Sequence, residues 1–302
     1  MFDAMKQVLP AHRAHPRQFE DFKLVYPVLS RRSGGISIGL NMNPDRKCSF
    51  NCIYCQVDRS SMPVNAWFDL AVAENELRAM LDMVESGALG KLSQFREVPE
   101  ELLQLKDVAL SGDGEPTLLP GFAEAVEMVA RVKPTGVKLL LITDAAGLDR
   151  AEVKRGLATM DAHDGEIWAK LDAGTEEYFK LIDRTSMPFA RILKNLAECA
   201  KVHPIVIQSM FMKVYGHGPS AEEIGAYSDR LLEILAANGS IKQVQIGTVA
   251  RAPMATINGR PAWHSVTALS DAELDAIRDC VRHRTCLPTE SYYGGHGPEN
   301  RG

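Results

Sequence analysis

The chain has 302 residues, 45% of them hydrophobic and 24% charged, with a formal net charge of −5 at pH 7. That balance suits one large or two small globular α/β domains with a substantial core, and it excludes a surface that coats nucleic acid throughout, while leaving room for a local basic patch. No apolar run approaches membrane-span length and the opening Met-Phe-Asp-Ala-Met-Lys-Gln has no signal-like core, so the expectation is a cytoplasmic protein without a membrane partner.

In chain order, residues 1–33 carry His12, His15, Arg31 and Arg32 with weak periodicity and read as a leader packed on the core. From residue 34 to 286, apolar runs alternate with helical patterns. Strands are predicted at Gly35–Leu40, Asp107–Leu110, Val137–Thr143, Glu166–Leu171, Ile205–Phe211 and Ile241–Thr248. Helices are predicted at Ala66–Ser86, Gly121–Arg131, Arg150–Thr159, Phe189–Lys201, Ala221–Ala237 and Asp271–Arg282, with Ser220 and Ser270 as caps. Residues 87–106 are long for a connection and read as surface decoration. The glycine-rich end, 287–302, reads as a mobile tail. Repeated strand–helix units imply parallel, right-handed crossovers. No G-x-G-x-x-G follows the first strand, where a dinucleotide-binding fold would place it.

A cysteine loop stands there instead: Cys48-Ser-Phe-Asn-Cys52-Ile-Tyr-Cys55. Three soft thiolate ligands in so short a stretch must converge on one centre, and six cysteines with three bunched suggest metal chemistry in a reducing compartment. No fourth Cys or His lies between Asn41 and Asn65. If the centre is a four-iron cluster, one iron keeps an open position; a structural zinc is the alternative. The second strand ends in Ser111-Gly-Asp-Gly-Glu-Pro-Thr-Leu118, whose glycines allow close approach of backbone to a ligand. On the fourth strand Lys170 and Asp172 share a side. There Asp172 could accept from a ribose hydroxyl and Lys170 could bind a carboxylate; equally, Asp172 could cap the helix near Thr175 and Lys170 could pair with it. Gln208, Ser209, Gln243, Gln245, Gly247 and Arg251 suggest a polar mouth. Asp144, ending the third strand, is assigned no role. Cys280, His283 and Cys286 are read as a packed helix end or an auxiliary metal set, and Cys199 as core.

The spacing of Cys48, Cys52 and Cys55, with Tyr54 before the last, resembles the radical S-adenosylmethionine (SAM) superfamily. The resemblance implies a partial (β/α)6 TIM-like barrel with chemistry at the C-terminal strand ends. It also implies a [4Fe-4S] cluster on the three cysteines, with SAM on the remaining iron. Tyr54 would lie beside the adenine, and Gly112, Gly114 and Glu115 would meet SAM's amino group. The implied function is reductive cleavage of SAM to a 5′-deoxyadenosyl radical that takes hydrogen from a substrate, an iron–sulfur oxidoreductase activity fed by a reductant such as flavodoxin or ferredoxin.

A nearer resemblance is to the branch holding the wyosine-forming tRNA enzymes, the 4-demethylwyosine synthases. It rests on Gly39-Leu-Asn-Met-Asn-Pro-Asp-Arg-Lys-Cys48 through Gln56-Val-Asp-Arg59, on Ser111–Leu118 and on Lys170-Leu-Asp-Ala-Gly174, and it makes a tRNA base one candidate substrate. Those enzymes carry a second cluster on N-terminal cysteines, and this chain has no cysteine before Cys48. The rival readings are an iron–sulfur electron carrier or sensor without SAM cleavage, and a zinc-stabilised RNA-binding module. Arg31, Arg32, Arg46, Lys47 and Arg59 form either a basic rim for a polyanion or ordinary solvated charges balanced by Asp45 and Asp58.

Overall fold

The computed structural model describes residues 9–13, 17, 19–63 and 67–294. His15, the first residue of the Ala66–Ser86 helix and positions 295–302 of the expected tail lie outside them. A short helix, α1 (Pro10–Arg13), precedes the sheet. Eight strands form one curled sheet, a half-barrel: β1 (Val25–Ser30), β2 (Gly35–Asn41), β3 (Leu105–Ser111), β4 (Lys138–Thr143), β5 (Gly165–Lys170), β6 (Ile205–Met210), then, after the short β7 (Met212–Val214), β8 (Ile241–Gly247) and finally β12 (Thr289–Tyr292). The edge strand β1 is antiparallel to β2, and every later pairing in this sheet is parallel. Three small strands, β9 (Thr256–Ile257), β10 (Arg260–Pro261) and β11 (Val266–Ala268), lie in the excursion after β8, with β11 paired to β7.

Crossovers are made by α2 (Leu70–Glu85), α3 (Phe122–Val132), α4 (Ala151–Asp161), α5 (Glu176–Ile182), α6 (Phe189–Val202), α7 (Ala221–Ala236) and α8 (Asp271–Thr285). Several start where their sequences supply caps: Asp69 accepts from the amides of Ala71 and Val72, Ser220 caps α7, and Ser270 with Glu273 forms a capping box. Alternation divides each strand. Val108, Leu110, Leu139, Leu141, Ile205 and Ile207 join the helix-facing core, while Ala109, Leu140, Trp168 and Val206 form a second apolar layer inside the curl. Ala109, Leu140 and Trp168 of that inner layer are the floor of the cavity described below.

All six predicted barrel strands and all six predicted helices are present, with ends shifted by a few residues. The sheet is wider than the 34–286 bounds: β1 comes from the expected leader and β12 from the expected tail. Two short 3₁₀ turns occupy the stretch 87–106. The start of β1 is held by Glu76 of α2, whose carboxylate accepts from the amides of Lys23, Leu24 and Val25 at 2.8, 2.8 and 3.1 Å. Glu76→Ala strands these three donors, and an unmet buried donor costs ~1–3 kcal/mol. The variant is expected to lose stability in that range, read from urea melting. Unchanged stability would show that water replaces the carboxylate.

The two edges of the sheet also meet through side chains. Arg31, in the turn after β1, donates to the carbonyl of Tyr293 at 2.5 Å, and the Arg32 guanidinium lies 5.1 Å from the centroid of the Tyr292 ring. Among the described residues no helix is long and apolar enough to cross a membrane.

Candidate active site

The cysteine loop leaves the C-terminal end of β2 and is docked on two sides before any side chain is considered. The amides of Asn51 and Ile53 donate to the carbonyls of Asp183 and Ile182 at the end of α5, at 3.0 and 2.9 Å. Arg184 donates to the Asn51 carbonyl at 2.7 Å and Thr185 to the Ser49 carbonyl at 2.8 Å. On the other side Glu115 N donates to the Lys47 carbonyl at 3.0 Å. A Cβ built on Gly114 would stand 1.7 Å from that same carbonyl oxygen, so glycine is required for the turn after β3 to lie against the loop. Gly112 is similar: its Cβ would fall 2.6 Å from Asn41 Oδ1, which accepts from the Asp113 amide at 3.0 Å.

Cys48, Cys52 and Cys55 are all half-buried and line one cavity of about 730 Å3 at the C-terminal strand ends. Among the described residues no fourth cysteine lines it, and no three His, Cys, Asp or Glu side chains lie close enough to hold a single metal ion. The donor set therefore fits a multi-iron cluster better than a closed zinc site. Cys48 faces Asp144 at 3.8 Å and Cys52 faces Asp183 at 3.3 Å. Burial, then the Asp144 carboxylate, pushes the Cys48 thiol up to about 12; burial, then Asp183, raises Cys52 as well. Both are protonated thiols before metal binds, so loading iron displaces their protons. Arg59 lies 4.0 Å from the Cys55 sulfur.

The residues assigned to SAM's amino group turn out to be engaged by the protein itself. Glu115 is 2% exposed and accepts four hydrogen bonds, from Thr117 N (3.0 Å), Thr117 Oγ1 (2.5 Å), Thr143 Oγ1 (2.5 Å) and Asp144 N (2.7 Å). It ties the end of β3 to the end of β4. The Gly112 carbonyl accepts from Arg17, which also pairs with Asp113 at 3.2 Å. Glu115→Ala would strand all four donors. We expect a loss of at least about 3 kcal/mol in denaturant melting of the cluster-free protein, with a smaller loss for Glu115→Gln. Equal stability of Glu115→Ala and the parent would contradict this bracing role.

Tyr54 and Lys170 line the cavity, whereas Asp172 sits behind them with a side chain 1% exposed. Its carboxylate accepts from Met210 N at 2.7 Å and from the Tyr54 hydroxyl, and lies 3.4 Å from Lys170 Nζ. The Lys170 ammonium stands 4.9 Å from the centroid of the Tyr54 ring. Burial, then Asp172, raises the Tyr54 phenol far above its usual range. Asp172 thus pairs with Lys170 and does not cap α5, a task done by Thr175 accepting from Tyr178 N at 3.2 Å. Gln208 lines the cavity, but Ser209 faces α7 and bonds the Tyr227 hydroxyl at 2.6 Å.

The expected basic rim divides. Arg46 donates to the carbonyls of Asp58 and Ser61, Arg59 to that of Arg46, and Lys47 pairs with Asp45 at 3.0 Å, so these three hold their own loop. Arg31, Arg32, Arg46 and Arg59 all line the cavity, together with Arg17 and Arg251, whereas Lys47 does not. Cys199 is buried as expected, whereas Cys280, His283 and Cys286 are exposed at the end of a helix that packs through Val281 and Thr285, and among the described residues no three His, Cys, Asp or Glu are grouped to hold a metal ion. Sequence reasoning missed Asp183, Arg17 and the inward turn of Arg32. Asp183 follows a seven-residue helix too short to register as a period, Arg17 is placed by Tyr26, Gly112 and Asp113 at the ends of β1 and β3, and Arg32 by the approach of the sheet's two edges.

Residues 42–231 match the family model of the radical SAM superfamily. Among curated proteins, a UPF0026 protein of Helicobacter pylori is 27% identical over 252 residues, covering 82% of this chain and 70% of that protein. The S-adenosyl-L-methionine-dependent tRNA 4-demethylwyosine synthase of Methanocaldococcus jannaschii is 28% identical over 149 residues, covering 46% of this chain and 47% of that protein. Among solved structures, a radical SAM methyltransferase from Sphaerobacter thermophilus shares the fold with a TM-score of 0.59, at 12% identity over 89% of this chain and 69% of that one.

Proposed function

The chain belongs to the radical SAM superfamily and is an enzyme whose cofactors are a [4Fe-4S] cluster and SAM, and from that premise we propose that it cleaves SAM reductively to abstract hydrogen from a second molecule bound in the same cavity. When bound, the cluster and SAM supply a 5′-deoxyadenosyl radical; the protein's part is to place, orient and shield. The observation that carries the proposal is the meeting, around one cavity, of three thiols on a doubly docked loop with Tyr54 and Lys170.

Cys48, Cys52 and Cys55 are the proposed cluster ligands. Gly112, Gly114 and Glu115 shape the turn that receives SAM's methionine end, with Gly114 and Glu115 acting through position. Lys170 offers its ammonium to the cofactor's carboxylate, and the Tyr54 ring borders the adenine. Asp172 is a positioning residue: it orients Tyr54 and Lys170 from behind. The apolar floor of Ala109, Leu140 and Trp168 keeps water from the reacting centre. A tRNA base is the substrate class suggested by the curated synthase and by the open mouth, and the electron comes from a reductant such as flavodoxin or ferredoxin.

Anaerobically reconstituted protein given dithionite and SAM is expected to form 5′-deoxyadenosine, measured by chromatography. Bulk tRNA from cells lacking this protein is expected to raise that yield. An intact cluster without deoxyadenosine would favour the electron carrier or sensor. Zinc without sulfide in the purified protein would favour the RNA-binding module.

A further inference from the structure

The cavity holds more positive charge than the proposed chemistry uses. Arg17 has a carboxylate partner in Asp113, but Arg31, Arg32 and Arg251 have none among the described residues. Arg31 donates to a neutral carbonyl, that of Tyr293. The Nε atoms of Arg32 and Arg251 are buried and meet no acceptor among the described residues. A buried donor left unpaired is costly, and a buried guanidinium more so, so such groups mark either strain or the place of an absent ligand.

The fold makes room for this arrangement. Arg32 reaches from the turn after β1, across the open side of the half-barrel, to the C-terminal end of β8. There a Cβ on Gly247 would fall 2.8 Å from Arg32 Nη2, so the missing side chain of Gly247 is what seats the guanidinium. Arg251 arrives from the loop that follows β8. Burial, then Arg17, Arg31 and Arg32, lowers Arg251 to about 10, while burial brings Arg32 to the same value. The depression by like neighbours shows that these cations lie within electrostatic reach of one another.

We propose that Arg32 and Arg251, backed by Arg31, form a subsite for a phosphate group of the substrate, on the wall of the cavity made by the turn after β1 and the loop after β8. Two guanidiniums that line the cavity can meet the oxygens of a tetrahedral oxyanion, and three cations with no ion-pair partner among the described residues, only Arg32 feeling a carboxylate (Asp172) at longer range, call for more than one negative charge. This rests on the reading that the cavity admits a second molecule beside SAM, and it narrows that molecule to one carrying phosphate. Lys170, already paired with Asp172, is left to the cofactor.

Isothermal titration of inorganic phosphate into the cluster-loaded protein, without and with saturating SAM, tests it without turnover. Phosphate is expected to bind at one site, with affinity unchanged within about threefold when SAM is present. Arg251→Gln and Arg32→Gln are each expected to weaken it by about tenfold or more, the loss of a charge-assisted contact, and Arg251→Lys by less. Native melting temperatures would show that these variants fold. Three results would overturn the proposal: no phosphate binding at millimolar concentration, displacement of phosphate by SAM, or binding of malonate in preference to phosphate. Phosphate binding in a protein that forms no deoxyadenosine would leave the subsite standing and remove the radical chemistry.

Discussion

A Cys52→Ala protein is expected to assemble no complete cluster and to form no 5′-deoxyadenosine, while folding like the parent. Loop and ligand are separable here. The backbone around position 52 is pinned by the amides of Asn51 and Ile53 on α5, and neither bond involves the sulfur. The thiol itself loses only a 3.3 Å contact with Asp183, and a neutral hydrogen bond is worth about 1 kcal/mol net. Two thiolates are left to hold four irons, one ligand short of the minimum the superfamily uses. Visible absorbance, sulfide content and deoxyadenosine should fall together to background, with melting of the cluster-free protein shifted little. A cluster of normal sulfide content in this variant would mean that another side chain is a ligand.

Gly114→Ala is expected to do comparable damage without touching a ligand. The added methyl would sit 1.7 Å from the Lys47 carbonyl oxygen and 2.6 Å from its carbon. Neither is the far end of a flexible chain, so the turn after β3 and the cysteine loop must part. Overpacking of this kind costs ~1–3 kcal/mol, and the displacement begins one residue before Cys48. Cluster loading is expected to fall by more than about tenfold, since a shift of ~1 Å in a supporting shell is enough to spoil a ligand set. Gly121→Ala, at a helix start where the nearest atom to the new Cβ is 3.7 Å away, serves as the comparison for general destabilisation. Equal cluster content in the parent and in Gly114→Ala would refute the docking role.

The barrel was legible because its strands are apolar and separated by amphipathic helices. The pieces that escaped are those where local signals are weak. In β1, Val25-Tyr-Pro-Val-Leu-Ser, Pro27 removes an amide, and proline is tolerated there because the strand lies at the sheet edge. The last strand, Thr289-Glu-Ser-Tyr, is four residues long and follows Pro288. The chemistry of the site was legible in part for a similar reason. Cysteines within eight residues announce themselves, whereas Glu115, Asp172 and Asp183 reveal what they bond to only when strands and helix ends distant in sequence are brought together. Glu115 shows the limit well: its residue type suggests a ligand for an ammonium, and nothing in the sequence announces the four hydrogen bonds it accepts from Thr117, Thr143 and Asp144.

The aromatic–guanidinium pair at Tyr292 and the carbonyl bond at Tyr293 join the first strand of the sheet to the last. A sheet clasped in this way cannot fray from one end independently of the other. Melting of either terminus should loosen the opposite wall as well, so amide exchange in Val25–Ser30 and in Thr289–Tyr292 is expected to rise in step, and with it the leakiness of the chamber between them.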